Sequence, residues 1–223
     1  MPTPPIVDDI ELIIENIGGG GGDKPPVIGY GGDDEGKRKP QGPVSPRRYY
    51  TGVALGIVSI LMFFMALASA YIVRKGSSAG EWVPFHFPVL VWANTVILLA
   101  SSLTMEIARR RLHAFQPIAF RDWWTITTIL GLLFLAGQLI VWRQLVAQGI
   151  YVASNPGSSF FYIFTGAHAI HVVGGVGALL YVLFRKFNHA KVSQLTAVGV
   201  TSYFWHFLDG LWVFLALLLY LGK

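Results

Sequence analysis

Three histidines and one aspartate fall inside long apolar stretches of this chain, and their side chains are the best suited to chemistry. His168 and His171 are three positions apart, as are His206 and Asp209. Side chains at this spacing are neighbours on one side of a helix. Polar groups inside hydrocarbon are costly, so they are expected to face protein or a cavity. These four residues are the candidate site, called the intramembrane polar cluster below.

Depth in the membrane allows His171, His206 and Asp209 to meet. His171 lies about 20 Å from the end of its apolar segment near Phe184, and Asp209 reaches about the same depth on an antiparallel neighbour. Three interpretations fit such a group: axial ligation of haem, a proton path, or hydrogen bonding between helices with a purely structural role. Three histidines, two of them on one helix, are few for a haem-binding bundle, and the structural interpretation is favoured.

Five apolar segments can carry these residues across a membrane. A spanning helix needs about 20 mostly apolar residues. Hydrophobic residues make up 53% of the chain and charged residues only 13%, against about 25% charged residues in soluble domains. The sequence therefore predicts an all-α membrane protein with five transmembrane helices, at about residues 51–73, 88–108, 123–145, 159–184 and 195–221.

Basic residues give these helices an orientation. Thirteen of the 17 lysines and arginines precede the first segment or follow the second and the fourth, which places them on one side of the membrane. Because basic residues are retained in the cytoplasm, the N-terminus is predicted to be cytoplasmic and the C-terminus outside. The expected location is a bacterial-type inner (cytoplasmic) membrane, in a multi-pass arrangement. Topology signals account for the net charge of +5 without a nucleic acid as partner.

Residues 1–48 differ in composition from residues 49–223, the predicted transmembrane domain. They contain eight of the twelve acidic residues, several prolines, and five consecutive glycines from Gly18 to Gly22. Such a composition is typical of disorder. The acidic, proline-rich start does not fit a signal peptide, so we expect a mostly disordered cytoplasmic tail.

Several classes of function lack the residues that they need. The chain has no cysteine, which excludes disulfides, thiolate metal sites, covalent haem attachment and cysteine nucleophiles. The glycine run has no flanking strand and helix, as a nucleotide-binding loop would. An independent transporter would show repeats and broken helices, and the sequence shows neither. We therefore predict no catalytic residue, metal or cofactor in this chain.

Four segments occur in a specific order within the apolar region: FFMALASAYIVRKG, ANTVILLASSLTMEIARR, FFYIFTGAHAIHVVGG and YFWHFLDGLWVFLALLLYL. In this order they resemble subunit III of the haem–copper terminal oxidases, in its short five-helix form, over about residues 50–221. The resemblance implies a non-catalytic accessory subunit of a proton-translocating cytochrome c oxidase, which reduces oxygen to water. It implies a hetero-oligomeric complex in which the chain packs beside subunit I and supports its stability and proton uptake. Haem and copper are then expected in the partner subunits I and II, and membrane lipids, including bound phospholipid, are expected partners.

Three positions depart from the pattern of that family. Its members often have intramembrane glutamates where this chain has Ile60, Val141 and Gly199. Without those carboxyl groups, any contribution to proton uptake is expected to be indirect. The same absences fit a related membrane protein associated with nitric oxide reductase, which has the same fold and is the alternative assignment.

Overall fold

Five long helices make up most of the part of the chain that the computed structural model describes, which is residues 46–77, 89–152, 155–185 and 193–222. They are α1 (Pro46–Ser77), α2 (Val89–His113), α3 (Pro117–Ala147), α4 (Pro156–Phe184) and α5 (Gln194–Leu221). Each is long and apolar enough to cross a membrane, with a mean hydropathy of 1.5 to 2.4 in its most apolar window. The expectation of an all-helical chain with five helices suited to spanning a membrane is confirmed for these residues.

The helices extend beyond the apolar segments predicted for them. α1 begins at Pro46, within the predicted tail, and includes Arg47 and Arg48. α3 begins at Pro117, ahead of its predicted start at residue 123. The length of an apolar segment reflects the thickness of the hydrocarbon layer. A helix can continue beyond that layer into the polar interface, because its backbone hydrogen bonds do not depend on apolar side chains. The rest of the predicted tail, residues 1–45, lies outside the described residues.

Local capping fixes the starts of the two helices that carry the candidate site. Asn155 caps α4: its Oδ1 accepts from the Ser158 N–H at 2.9 Å, and the Ser158 Oγ accepts from the Asn155 N–H at 3.3 Å. This reciprocal pair is a capping box, and Pro156 follows at the first helical position, where its missing N–H costs nothing. Ser193 caps α5 by accepting from the Thr196 N–H at 3.2 Å.

Helices α2 to α5 form a ring. α2 packs on α3, α3 on α4, α4 on α5, and α5 on α2, while α1 packs on α4 and α5 from outside the ring. Within the described residues no Cα atom of α1 lies within 8 Å of a Cα atom of α2. On the face of α5 between them, Tyr203 packs against Tyr50 of α1 with ring centroids 5.9 Å apart, and His206 meets Ser102 of α2.

The fully buried Trp205 holds the ring together. Its indole N–H donates to the Ser101 Oγ of α2 at 3.0 Å. A Cβ atom placed on Gly131 of α3 would lie 2.6 Å from its ring, and one placed on Gly175 of α4 would lie 3.1 Å from it. One side chain of α5 thus contacts the other three helices of the ring, and glycines at these two positions allow the close approach.

Indole N–H groups join α5 to α2 and α3 to α4. Among the described residues, four tryptophans donate across a helix–helix interface, three of them to a hydroxyl that itself donates to a carbonyl of its own helix. Such bonds satisfy polar groups that the membrane interior leaves without water. The pairs, with N···O distances of 2.9 to 3.0 Å, are Trp124 with the Leu179 carbonyl, Trp142 with Thr165, Trp205 with Ser101, and Trp212 with Thr95.

Candidate functional site

His206 lies at the seam between α5 and α2. Its Nδ1 is 2.6 Å from the Ser102 Oγ. One turn further along α2, Glu106 forms ion pairs with Arg109 and Arg110, each at 3.0 Å. The polar residues of this seam therefore run from the charged end of α2 toward the membrane interior, and His206 has its partner on α2.

Asp209 is buried in the same seam, with 4% of its surface exposed. Neither carboxyl oxygen has a hydrogen-bond partner among the described residues. Ser102 faces the carboxyl group without meeting the geometry of a hydrogen bond, and it is thus a common polar neighbour of Asp209 and His206. The sequence signal for Ser102 was the pair of adjacent serines at 101 and 102, but adjacency does not tell which of the two faces α5.

His168 faces the interior of the ring. It is fully buried, and its imidazole packs against Phe134 and Trp212, with ring centroids 5.9 and 5.1 Å away. Neither ring nitrogen has a hydrogen-bond partner in the described part of the chain. Its immediate packing is therefore aromatic.

His171 faces α1 and is only partly buried. Its Nδ1 is 2.7 Å from the Ala167 carbonyl oxygen, to which a proton on that nitrogen would be donated. The imidazole also meets the ring of Phe64 on α1, with centroids 5.8 Å apart. Residues three apart on a helix differ by about 60° around its axis, so His168 can face the ring interior while His171 faces the neighbouring helix.

His171, His206 and Asp209 were predicted to form one hydrogen-bonded group, and this prediction is wrong about their hydrogen-bond partners. His206 pairs with Ser102, and His171 pairs with the backbone of its own helix. Spacing along one helix gives depth in the membrane, but the rotation of that helix decides which neighbour a side chain meets. The two histidines of α4 and the two polar residues of α5 therefore belong to separate contacts.

The geometry of these residues is suited to joining helices. Among the residues that the structure describes, no three His, Asp or Glu side chains are placed to hold a metal ion. The hydrogen bond of His206 to Ser102 is not continued by hydrogen bonds to Asp209 or His171 within the same set. What the arrangement does directly is connect α5 to α2 and α4 to α1.

The three positions at which the resemblance implies carboxyl groups are packed as follows. Ile60 is half-buried against the apolar core, and Val141 is fully buried. Gly199 lies under Tyr50 of α1: a Cβ atom there would meet the tyrosine hydroxyl and lie 3.3 Å from its Cζ. Tyr50, which the sequence analysis did not single out, fills the space beside Gly199.

The fold and these contacts define a multi-pass helical membrane protein whose intramembrane polar residues lie between helices. A sequence model of the family described as cytochrome c oxidase subunit III matches residues 44–222. The chain belongs to this family, which confirms the resemblance drawn from the four sequence segments and connects the chain with respiratory electron transport.

Named relatives agree with this assignment over most of their length. The chain is 34% identical to a "Probable cytochrome c oxidase subunit 3" of Nocardia farcinica, over 75% of this chain and 85% of the relative. It is 33% identical to a protein of the same description in Mycobacterium tuberculosis, over 78% and 88%. It is 32% identical to "Cytochrome c oxidase subunit 3" of Synechocystis, over 76% and 74%.

Proposed function

We propose that this chain is the non-catalytic accessory subunit III of a proton-translocating cytochrome c oxidase. The observation that carries the proposal is the family match, which extends across all five helices. In the complex, the chain packs beside subunit I and supports its stability and proton uptake. Subunits I and II hold the haem and copper.

The contacts of the polar residues support a structural role. His206 and His171 each have a hydrogen-bond partner inside this chain, and His168 packs between aromatic rings. The bond of His206 to Ser102 joins two helices, and such bonds contribute about 0.6 kcal/mol on average in membrane proteins. Such residues stabilise the arrangement of helices that a partner subunit would recognise.

The support of proton uptake is indirect, because the three positions that depart from the family pattern have no side chain that can carry a proton. Ile60, Val141 and Gly199 carry no titratable group, and the first two are packed into apolar surroundings. None of these residues can accept or release a proton. The benefit to subunit I then comes from packing or from bound lipid.

The proposed orientation places the N-terminus in the cytoplasm of a bacterial-type cell and the C-terminus outside. α1 begins with Arg47 and Arg48, and α2 ends with Arg109, Arg110 and Arg111. Successive spans run in opposite directions, so the start of α1 and the end of α2 lie on the same side of the membrane. The rule that basic residues stay inside makes that side cytoplasmic.

An association with nitric oxide reductase is the second candidate. The observation that favours it is the absence of the three carboxyl groups that subunit III chains often have. The two candidates share a fold and differ in the catalytic partner.

Affinity purification from native membranes separates them. A tag on the C-terminus of this chain should recover subunits I and II, a haem spectrum, and oxygen consumption with reduced cytochrome c or quinol as donor. Recovery of a nitric oxide reductase without oxygen consumption would establish the second candidate. Removal of this chain should leave the initial turnover of the oxidase largely intact and shorten the time for which turnover is sustained. If turnover were sustained equally long with and without this chain, the accessory role would be contradicted.

A further inference from the structure

The turn between α2 and α3 presents two large apolar side chains at the surface. Phe115 is 93% exposed, and Ile118, at the start of α3, is 80% exposed. We call these two residues and the turn that carries them the α2–α3 corner. Phe115 has a φ of 56°, and within the part of the chain that the structure describes it is the one residue other than glycine with a positive φ. A bulky side chain is rare in this left-handed conformation.

Hydrogen bonds fix the left-handed conformation of Phe115. Its N–H donates to the Leu112 carbonyl at 3.1 Å, and the Gln116 N–H donates to the Arg111 carbonyl at 3.0 Å. This pair of bonds is the Schellman motif that ends many helices, in which glycine usually occupies the left-handed position. The Arg111 guanidinium also donates to the Gln116 Oε1 at 2.9 Å, across the same turn. The corner is therefore a fixed turn in which phenylalanine stands where glycine would be less strained.

Contacts within this chain do not offset the strain at Phe115. A residue with a Cβ atom in the left-handed conformation costs free energy that glycine avoids. A side chain that is 93% exposed gains little from packing on its own chain. Strained residues cluster at binding sites, where contact with another molecule can offset the cost. A contact of this kind is expected outside the chain.

The corner lies outside the lipid layer. Trp123 and Trp142 stand near the ends of the apolar part of α3, and the segment between them is about 28 Å long, close to the hydrocarbon thickness of about 30 Å. Pro117, where α3 begins, is about 9 Å further out along the helix axis, and Phe115 precedes it. The headgroups add only about 5–8 Å on each side. A protein, and not a lipid, can therefore cover Phe115.

The helix ends that meet at the corner have a surplus of positive charge. Glu106 pairs with Arg110 at 3.0 Å, yet the Arg110 side chain remains 78% exposed. An apolar projection surrounded by basic side chains is complementary to an apolar pocket with an acidic rim. The charged residues at these helix ends are Arg109, Arg110, Arg111 and Arg121, against Glu106 and Asp122.

From this geometry we infer that the α2–α3 corner binds an apolar pocket with an acidic rim on a partner protein at the cytoplasmic surface. Phe115 enters the pocket, Ile118 extends the apolar contact, and Arg110 faces the acidic rim. Because the turn is fixed before binding, little conformational entropy is lost. The surface does not depend on which catalytic partner the chain has, and only the side of the membrane rests on the proposed orientation.

Photocrosslinking identifies what covers the corner. A photoreactive phenylalanine analogue replaces Phe115, and native membranes are opened by freeze–thaw so that the result does not depend on orientation. Irradiation should join position 115 to another polypeptide. The same analogue at position 148, exposed at the other end of α3, is the control and should not join to that polypeptide segment. Attachment of position 115 to a phospholipid, to this chain itself or to nothing would overturn the inference.

The charge of the rim has a separate test. The yield of the crosslink should fall several-fold between about 50 and 500 mM salt, because salt screens exposed ion pairs. Arg110→Gln should lower the yield at the lower salt concentration, whereas Arg143→Gln, the matched control at the other end of α3, should leave it unchanged. A yield that responds neither to salt nor to Arg110→Gln would show that the contact has no acidic rim, and the inference would fail.

Phe115→Gly should have opposite effects on the chain and on the contact. The thermal midpoint of the purified chain should rise, because relief of the left-handed strain exceeds the added entropy of the unfolded chain. The affinity for the crosslinked partner should fall about tenfold or more, as when a central interface residue is lost, while Phe115→Leu should retain more binding. Partner retention on the tagged chain through serial dilution measures this. Equal retention in Phe115→Gly and the parent would refute the inference, as would a lower thermal midpoint, which would show that phenylalanine stabilises its own chain.

Discussion

Replacement of Gly131 by alanine tests whether Trp205 fixes the distance between α5 and α3. The new Cβ atom would lie 2.6 Å from the indole Cη2, whereas carbon atoms in contact are about 3.5–4.0 Å apart. The indole has little room to retreat, because Gly175 lies against it and its N–H is bonded to Ser101. Overpacking of this kind costs about 1–3 kcal/mol.

Gly177→Ala is the matched control for that substitution. Nothing lies within 4 Å of a Cβ atom at Gly177, and both substitutions gain up to about 1 kcal/mol from helix propensity. That gain cancels in the comparison, so Gly131→Ala should be less stable than Gly177→Ala by about 1–3 kcal/mol, the overpacking cost.

The stability difference can be measured as unfolding of the full chain in mixed micelles with increasing sodium dodecyl sulfate. A Trp205→Phe background should shrink the difference between the two alanine variants, because phenylalanine lacks the atoms that the new Cβ meets. Equal stability of Gly131→Ala and Gly177→Ala in the parent chain would show that Trp205 does not hold α3 and α5 at this distance.

Three further substitutions address the seams around the site. Gly199→Ala should lower the thermal midpoint because its Cβ meets the Tyr50 hydroxyl, and Tyr50→Phe in the same chain should restore it; no rescue would mean that the hydroxyl is not the obstacle. Ser102→Ala should lower the free energy of unfolding by about 1–3 kcal/mol, because His206 loses its hydrogen-bond partner. Ser102→Thr keeps the hydroxyl and should lower it less. Equal unfolding midpoints for the two variants would show that the hydrogen bond contributes little. A hydrophobic carbodiimide should leave α1 unlabelled on peptide mass mapping and should label it in Ile60→Glu, and labelling of α1 in the parent chain would contradict the absence of a reactive carboxyl group there.

The existence of the five helices could be predicted from the sequence because hydrocarbon imposes a simple condition on composition and length. The helix ends could not, since the polar residues around Pro46 and Pro117 are helical for reasons of backbone hydrogen bonding that an apolar segment does not record. The length of an apolar segment therefore shows which residues lie in the hydrocarbon layer, but it does not show where the helix begins or ends.

The sequence indicates which residues of the candidate site are polar and at what depth they lie, but it does not give the neighbour that each one contacts. His206 and Asp209 do lie on one seam, as their spacing requires, but their common neighbour is Ser102. His171 faces α1 because the rotation of α4 turns His168 inward. Rotation is set by the fit of large against small side chains, such as Trp205 against Gly131 and Gly175, and that fit is a property of several helices together.

The hydroxyl groups that accept from tryptophan have a consequence for how this protein can change over time. Thr95, Ser101 and Thr165 each donate to their own helix while they accept an indole N–H from another. If the hydroxyl is lost first, a buried indole donor is left without an acceptor, at a cost of about 1–3 kcal/mol. If the tryptophan is lost first, the hydroxyl keeps its bond to its own helix, but a large buried side chain is lost, at a cost of about 3–5 kcal/mol for replacement by alanine. Neither partner can therefore be lost cheaply on its own, and chains that retain the tryptophan should retain serine or threonine at the partner position.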